Sequence, residues 1–185
     1  EINEGLNPAI SEAIDMEIAE LRMYQEQAKA IVNETKAKQL LVALEKTFHK
    51  NEMLGAPKKA LIFTESRRTQ EYLKYFLQNN GYQGKVVCFN GSNNDDDSKS
   101  IYRKWLSLYA GSKRISGRTI IDRKQALVDH FRTDAEIMIA TESGAEGINL
   151  QFCSLLVNYD MPWNPQRIEQ RIGRCHRYGQ KFDVV

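Results

Sequence analysis

The residues best suited to chemistry gather near the end of the chain. Arg167, Arg171 and Arg174 recur at steps of four and three, and Arg177 follows at three more, so a helix here carries them on one face. With Lys181 and a single Glu169, residues 164–181 hold a net charge of +4. Guanidinium groups so close repel one another unless an anion sits among them. Gly173 lies in the same stretch, where glycine costs a helix about 1 kcal/mol relative to alanine. It reads either as helix packing or fraying, or as a close approach to a phosphate-bearing ligand. Upstream, Thr141-Glu142-Ser143-Gly144-Ala145-Glu146-Gly147-Ile148-Asn149-Leu150 directly follows an apolar run. Backbone amides exposed by glycines suit phosphate oxygens, and open α/β sheets bind ligands at the carboxyl ends of their strands. Taken alone, the two glycines fit a plain turn equally well.

These groups need a scaffold, and the pattern predicts one. Short apolar runs at Lys59–Thr64, Lys85–Phe89, Glu136–Thr141 and Ser154–Tyr159 read as buried strands. Helices are expected between them. One follows Ser66 as cap, with Tyr72, Leu73, Phe76 and Leu77 facing inward, and ends at Gly81. Another lies near 122–132, with Asp122 and Gln125 in a capping-box arrangement. A third opens at Asn164-Pro165, a cap followed by proline at the first helical position, and runs to about His176. The alternation implies an α/β fold, a parallel sheet with helices on both faces. Residues 92–118 break the rhythm and read as a surface insertion around a possible amphipathic helix bearing Ile101, Trp105, Leu108 and Tyr109. Asp95-Asp96-Asp97 reads as a solvated charge run, since the glycine and distal glutamate of a calcium loop are missing.

The first 50 residues form a separate region. Ile10, Ile14, Ile18, Leu21, Ala28 and Ile31 recur at helical spacing, as do Ala37, Leu40, Leu41, Leu44 and Phe48. A helical lead-in over 1–50, packed on a main domain at 51–185, is the expectation.

The 185 residues balance 26 Lys+Arg against 24 Asp+Glu, for a net charge of +2. That excludes a uniformly basic blanket but not a local nucleic-acid-binding patch. The charge is uneven, −3 over residues 1–50 and +5 over 51–185. No apolar run reaches the roughly 18 residues of a membrane span, so no membrane partner is expected. Cys88, Cys153 and Cys175 lack metal-ligand spacing, which points to a reducing cytoplasm and no metal site. Cys153 and Cys175 read as small buried hydrophobes. The start at Glu1 and a close that reads as the opening of a strand lead us to expect a piece of a longer protein.

The combination of segments resembles the C-terminal RecA-like lobe of superfamily-two helicases, and within them the SWI/SNF-type DNA translocases. Lys59–Thr64 is similar to that family's motif IV, and Phe89-Asn90-Gly91 to the strand-end motif after it. Thr141–Leu150 resembles motif V, and Gln170-Arg171-Ile172-Gly173-Arg174-Cys175-His176-Arg177 resembles motif VI, Q-R-x-G-R-x-x-R. Asp160-x-x-Trp163-Asn164-Pro165 and Gly179-Gln180 are similar to the SWI/SNF branch specifically. The resemblance covers about residues 35–185.

The resemblance implies that Arg174 and Arg177 are arginine fingers for the γ-phosphate of ATP, a role that accelerates phosphoryl transfer roughly 10³–10⁵-fold. Gln170 would sit at the same interface, and Gly147 and Asn149 near the ribose and the cleft. Thr64, Gly91, Thr141 and Gly144 would contact backbone phosphates of the tracked strand. Arg171 has two readings, a contact with ATP or a salt bridge within motif V, with Glu146 as candidate partner. Trp163 reads as structural, packed under the motif VI helix, in preference to a base-stacking role, and His176 as a helix-end residue. Arg171 and Gly173 depart from SWI/SNF relatives, which carry a small residue and an acid there. They are more similar to the bacterial branch of the RNA-polymerase-associated recycling ATPase, so strand separation and duplex tracking both stay open.

The sequence contains no G-x-x-x-x-G-K-[ST] loop and no paired acidic motif for Mg²⁺. The resemblance assigns both to an N-terminal RecA-like lobe, the expected partner, without which the chain would not hydrolyse ATP. DNA, with RNA not excluded, and RNA polymerase or another DNA-bound protein are the further partners implied. A cytoplasmic protein, nucleoid-associated in a bacterium, is expected. The alternative is a non-catalytic nucleic-acid or protein-binding module on a RecA-like or flavodoxin-like fold.

Overall fold

The computed structural model describes residues 8–29, 35–145, 147–176 and 182. The chain divides into two compact units, Glu1–Lys38 and Gln39–Val185. Helix α1 (Pro8–Lys29) belongs to the first. Its stripe of Ile10, Ile14, Ile18 and Leu21 is exposed, and Tyr24 donates to Glu20 Oε1 one turn earlier at 2.7 Å. Helix α2 (Thr35–Met53) runs from the first unit into the second, where Leu40, Leu44 and Phe48 are buried and Phe48 meets the Tyr82 ring at 6.1 Å between centroids. Ile31 lies outside the described residues.

The second unit is built on four parallel strands, β1 (Ala60–Thr64), β2 (Val86–Phe89), β3 (Ile137–Thr141) and β4 (Leu155–Asn158), in the order β2-β3-β1-β4. Each lies within a residue or two of its apolar run. Helix α3 (Arg67–Leu77) links β1 to β2, while α4 (Asp96–Leu108) and α5 (Thr119–Thr133) link β2 to β3. The first crossover runs outward past β3 and the second returns. Because parallel crossovers are right-handed, the reversal puts α3 and α5 on opposite faces. Period-two alternation sorts the core accordingly. Leu61, Phe63, Val87, Phe89, Met138 and Ala140 pack with Leu127, Val128 and Phe131 of α5. Ala60, Ile62, Ile137 and Ile139 are buried on the other face, where α3 buries Leu73 and Leu77. Each such Val, Leu, Ile, Phe or Met side chain contributes about 1.5–3 kcal/mol by leaving water.

Two local expectations change. Helix α5 begins at Thr119, so Asp122 lies inside its first turn and forms no capping box with Gln125. Its carboxylate instead accepts from Ser116 N and Oγ (2.9 and 2.6 Å) and Gly117 N (3.1 Å), closing the preceding turn. These bonds, that from the Ser116 hydroxyl foremost, hold its pKa below the usual aspartate value. Asp95 caps α4, accepting from Ser98 N and Oγ. Along α4, Trp105 is buried and its Nε1 donates to Asp129 Oδ2 at 2.8 Å, while Leu108 stays exposed. Among the described residues no helix is long and apolar enough to cross a membrane.

Candidate nucleotide and nucleic-acid interface

The four residues expected to meet nucleic-acid phosphates lie together at the carboxyl end of the sheet. Thr64 and Thr141 are register partners across β1 and β3, and Phe89 pairs with Ala140, which brings Asn90-Gly91 level with Thr141. Helix α6 (Glu142–Ala145) follows Thr141 at once. A Cβ added at Gly144 meets the Asn90 backbone at 2.6–2.9 Å, and one at Gly91 meets Ser143 Oγ at 3.3 Å. The loops after β2 and β3 are therefore pressed together. Gly144 has a structural reason to be glycine that spacing does not reveal.

A buried polar network fixes these loops. Gln70 of α3 donates from Nε2 to the carbonyls of Phe89 (3.2 Å) and Ile139 (2.6 Å), and accepts from Asn90 Nδ2 at 3.1 Å. Asn90 Oδ1 accepts from the Ser92 and Asn93 amides, and Asn93 Oδ1 accepts from the Asn90 amide at 2.7 Å. Asn93 holds φ at +45°, a conformation asparagine tolerates better than most residues. Ser66 caps α3 by accepting from Thr69 N, and exposed Arg67 donates to Ser92 Oγ at 2.8 Å. The Thr64 hydroxyl is engaged with Ser66, whereas Thr141 Oγ1 is buried with no hydrogen-bond partner among the described residues.

Helix α7 (Pro165–Cys175) starts as expected, with Asn164 Oδ1 accepting from Gln166 N and Pro165 at the first position. Its arginines share one face, as their spacing requires, but not one environment. Arg167 is exposed and Arg174 half-buried, but Arg171 is only 2% exposed. Arg171 Nε and Nη2 donate to Glu142 Oε2 at 2.9 and 2.7 Å, and Nη1 donates to Asn158 Oδ1 (2.7 Å) and the Asp160 carbonyl (3.0 Å). The guanidinium also lies 4.7 Å from the Phe63 ring centroid. Of its two readings, the structure takes the internal salt bridge, with Glu142 as partner; Glu146 lies outside the described residues. The anion that the crowded arginines called for is thus supplied for Arg171 by the chain itself.

The other candidates are open. Arg174 makes no ion pair among the described residues, and its carbonyl accepts from Leu150 N at 3.0 Å, tying the end of α7 to the segment after β3. Gln170 and Asn149 are exposed, Asn149 making a short turn with Gln151. Gly147 is exposed at φ +77°, a conformation that favours glycine. A Cβ at Gly173 meets nothing within 4 Å, so helix packing does not explain that glycine. Trp163, expected to pack under α7, is fully exposed instead. Cys153 and Cys175 are buried, and burial pushes the Cys153 thiol well up, with the Cys175 thiol adding to it. Arg177, Gly179, Gln180 and Lys181 lie outside the described residues. Among the described residues no cluster of three or more His, Cys, Asp or Glu side chains could hold a metal ion.

Sequence reasoning missed Glu142, Asn158 and the Asp160 carbonyl as partners of Arg171. Glu142 and Asp160 stood in recognised segments, but the pairing depends on strand register.

Residues 84–179, more than half of the chain, match the helicase conserved C-terminal domain. The chain belongs to that family. It is a C-terminal RecA-like lobe of the SWI/SNF-type superfamily-two helicases. A Bacillus subtilis (strain 168) protein named "Uncharacterized ATP-dependent helicase YqhH" is 46% identical over 126 residues, 68% of this chain and 18% of that protein. "Helicase SWR1" of Saccharomyces cerevisiae is 33% identical over 129 residues, 68% of this chain and 7% of its own. "RNA polymerase-associated protein RapA" of Vibrio cholerae is 44% identical over 70 residues, 37% of this chain and 7% of that protein. The chain thus spans less than a fifth of the length of these relatives. The helicase lobe's fold matches the C-terminal part of the Fun30 ATPase domain, with a TM-score of 0.56 at 22% identity, covering 98% of this chain and 53% of that one. It also matches domain 2 of the Mss116p DEAD-box helicase, with a TM-score of 0.52 at 20% identity, covering 81% and 49%.

Proposed function

We propose that this lobe is the C-terminal half of an ATP-dependent translocase that tracks along duplex DNA. The observation that carries the reading is the contrast within α7. Arg171 is neutralised inside the chain, while Arg174, one turn on, makes no ion pair among the described residues. An unpaired guanidinium on a half-buried helix end suits an anion brought by another body. The open space at Gly147 and at Gly173 leaves room for a phosphate-bearing ligand. Arg174, with Arg177, would bear on the γ-phosphate, and Gln170, Gly147 and Asn149 would line the cleft. ATP, with Mg²⁺ held by an N-terminal lobe, supplies the free energy of phosphoanhydride cleavage.

At the sheet end, the packed loops gather Thr64, Gly91, Thr141 and Gly144; Gly91 is exposed and the other three are buried, so backbone phosphates would be met through Gly91 and the adjoining loop backbone. The Thr141 hydroxyl is buried and has no hydrogen-bond partner among the described residues. Contacts of that kind position a strand without reading its sequence and make binding depend on salt. RNA polymerase, which the name of one relative mentions, is the protein partner we favour.

The test is ATP turnover with and without duplex DNA over a salt series, in the full-length protein and in these 185 residues alone. Full-length protein should show DNA-stimulated turnover that weakens as salt rises, and the isolated lobe should show negligible turnover. Substantial turnover by the lobe alone, or none in the full-length protein, would refute the reading.

A further inference from the structure

The ion pair that removes Arg171 from the nucleotide gives it another task. We propose that the Arg171–Glu142 pair is the coupling element through which phosphates at the sheet-end loops set the position of Arg174, an inference that rests on the function proposed above.

Arg171 is the largest fully buried side chain of the described lobe, and its donors reach two separate loops. Nε and Nη2 hold Glu142 after β3, and Nη1 holds Asn158 and the Asp160 carbonyl at the end of β4. The Asp160 carboxylate in turn accepts from the Glu65 amide after β1 at 3.0 Å, and the Asp160 and Tyr159 amides donate to the Phe63 carbonyl. Glu142 is chained to the loop after β2, because Ser143 and Gly144 abut Gly91 and Asn90. One guanidinium therefore senses the ends of all four strands.

Stability alone does not account for such a pair. Arg171 is buried while Glu142 is one-third exposed, and desolvation of the guanidinium offsets much of the attraction. It does transmit charge. A phosphate arriving beside Thr141 repels the neighbouring Glu142 carboxylate and drives it toward Arg171, strengthening the pair. Arg171 is rigidly linked to Arg174 through one turn of α7, whose end is pinned by the Leu150–Arg174 backbone bond. An anion on the nucleic-acid side thus biases where the finger points, and Arg171 and Glu142 act as positioning residues.

The experiment compares basal with DNA-saturated ATP turnover in the full-length protein, alongside thermal unfolding. Glu142→Gln should retain basal turnover and lose about fivefold or more of the stimulation factor, the size of an ordinary coupling free energy. Should that variant fail to fold, Glu142→Asp, which keeps the charge but shortens the reach, should show a smaller loss of stimulation with basal turnover kept. A wild-type stimulation factor in the folded variant, or equal losses of basal and stimulated turnover, would overturn the coupling role alone. Absence of stimulation in wild-type protein would overturn the functional reading together with this one.

Discussion

The loops at the carboxyl end of the sheet and the outer side of α7 solve opposite problems. In the loops nearly every polar group already has a partner within the chain. Gln70, Asn90 and Asn93 satisfy one another, Asp160 holds the Glu65 amide, and Glu142 holds Arg171. On α7 the groups that matter most lack them: Arg174 has no ion pair among the described residues, and Gly173 has no neighbour where a side chain could be. Internal satisfaction marks residues that shape a surface, while vacancy marks residues shaped for something outside the lobe. The two regions meet at Arg171, which sits on the open helix but belongs to the closed network.

Substitutions can break that contrast, and the largest effect is expected at Arg174. Arg174→Ala in the full-length protein should lower ATP turnover by about 10³-fold or more, the scale of a lost arginine finger. Nucleotide binding should persist, and stability should change by no more than about 1 kcal/mol, since Arg174 is half-buried but makes no ion pair among the described residues. Parallel turnover, nucleotide-binding and unfolding measurements check this, and normal turnover would remove Arg174 from the finger role. The next effect belongs to the closed region. Gly144→Ala forces a Cβ to within 2.6 Å of the Asn90 backbone, which cannot yield as a side-chain tip does. It should cost about 1–3 kcal/mol, as overpacking does, and lower the unfolding temperature of the lobe. An unchanged midpoint would show that the two loops are less tightly joined than the structure has them.

What was legible in the sequence follows the range over which each signal acts. The four strands stand out as short apolar runs because burial on both faces leaves little choice of residue type. The start of α7 is written locally in Asn164-Pro165, whereas α3 ends at Leu77 and the left-handed Gly81 lies in the separate helical turn Gln78–Tyr82 after it. The partner of Arg171 was not legible, because Glu142 lies 29 positions away and meets it only through the β1–β3 and β1–β4 registers. The packing reason for Gly144 was not legible either, since no local pattern announces that Asn90 will lie against it. Trp163 was misplaced for a related reason. An aromatic beside an amphipathic helix is usually core, and only the path from β4 into α7 turns this one to solvent.

The smallest effect is the most discriminating, because the two regions predict opposite signs for the same chemical change. At Gly173, inside α7, an added methyl meets no atom within 4 Å, and the backbone is helical with no positive φ. Gly173→Ala should therefore stabilise the isolated lobe by about 0.5–1 kcal/mol, the ordinary difference in helix propensity. That corresponds to a rise of about 1–4 °C in the unfolding midpoint for a chain of this size. The same methyl destabilises at Gly144, so the pair separates a glycine kept for its neighbours from one whose space is empty. If that space is reserved for a phosphate-bearing ligand or an opposing lobe, the stabilised Gly173→Ala variant should still turn over ATP more slowly in the full-length protein. A variant both more stable and fully active would show that Gly173 guards nothing, and the open side of α7 would be reduced to Arg174.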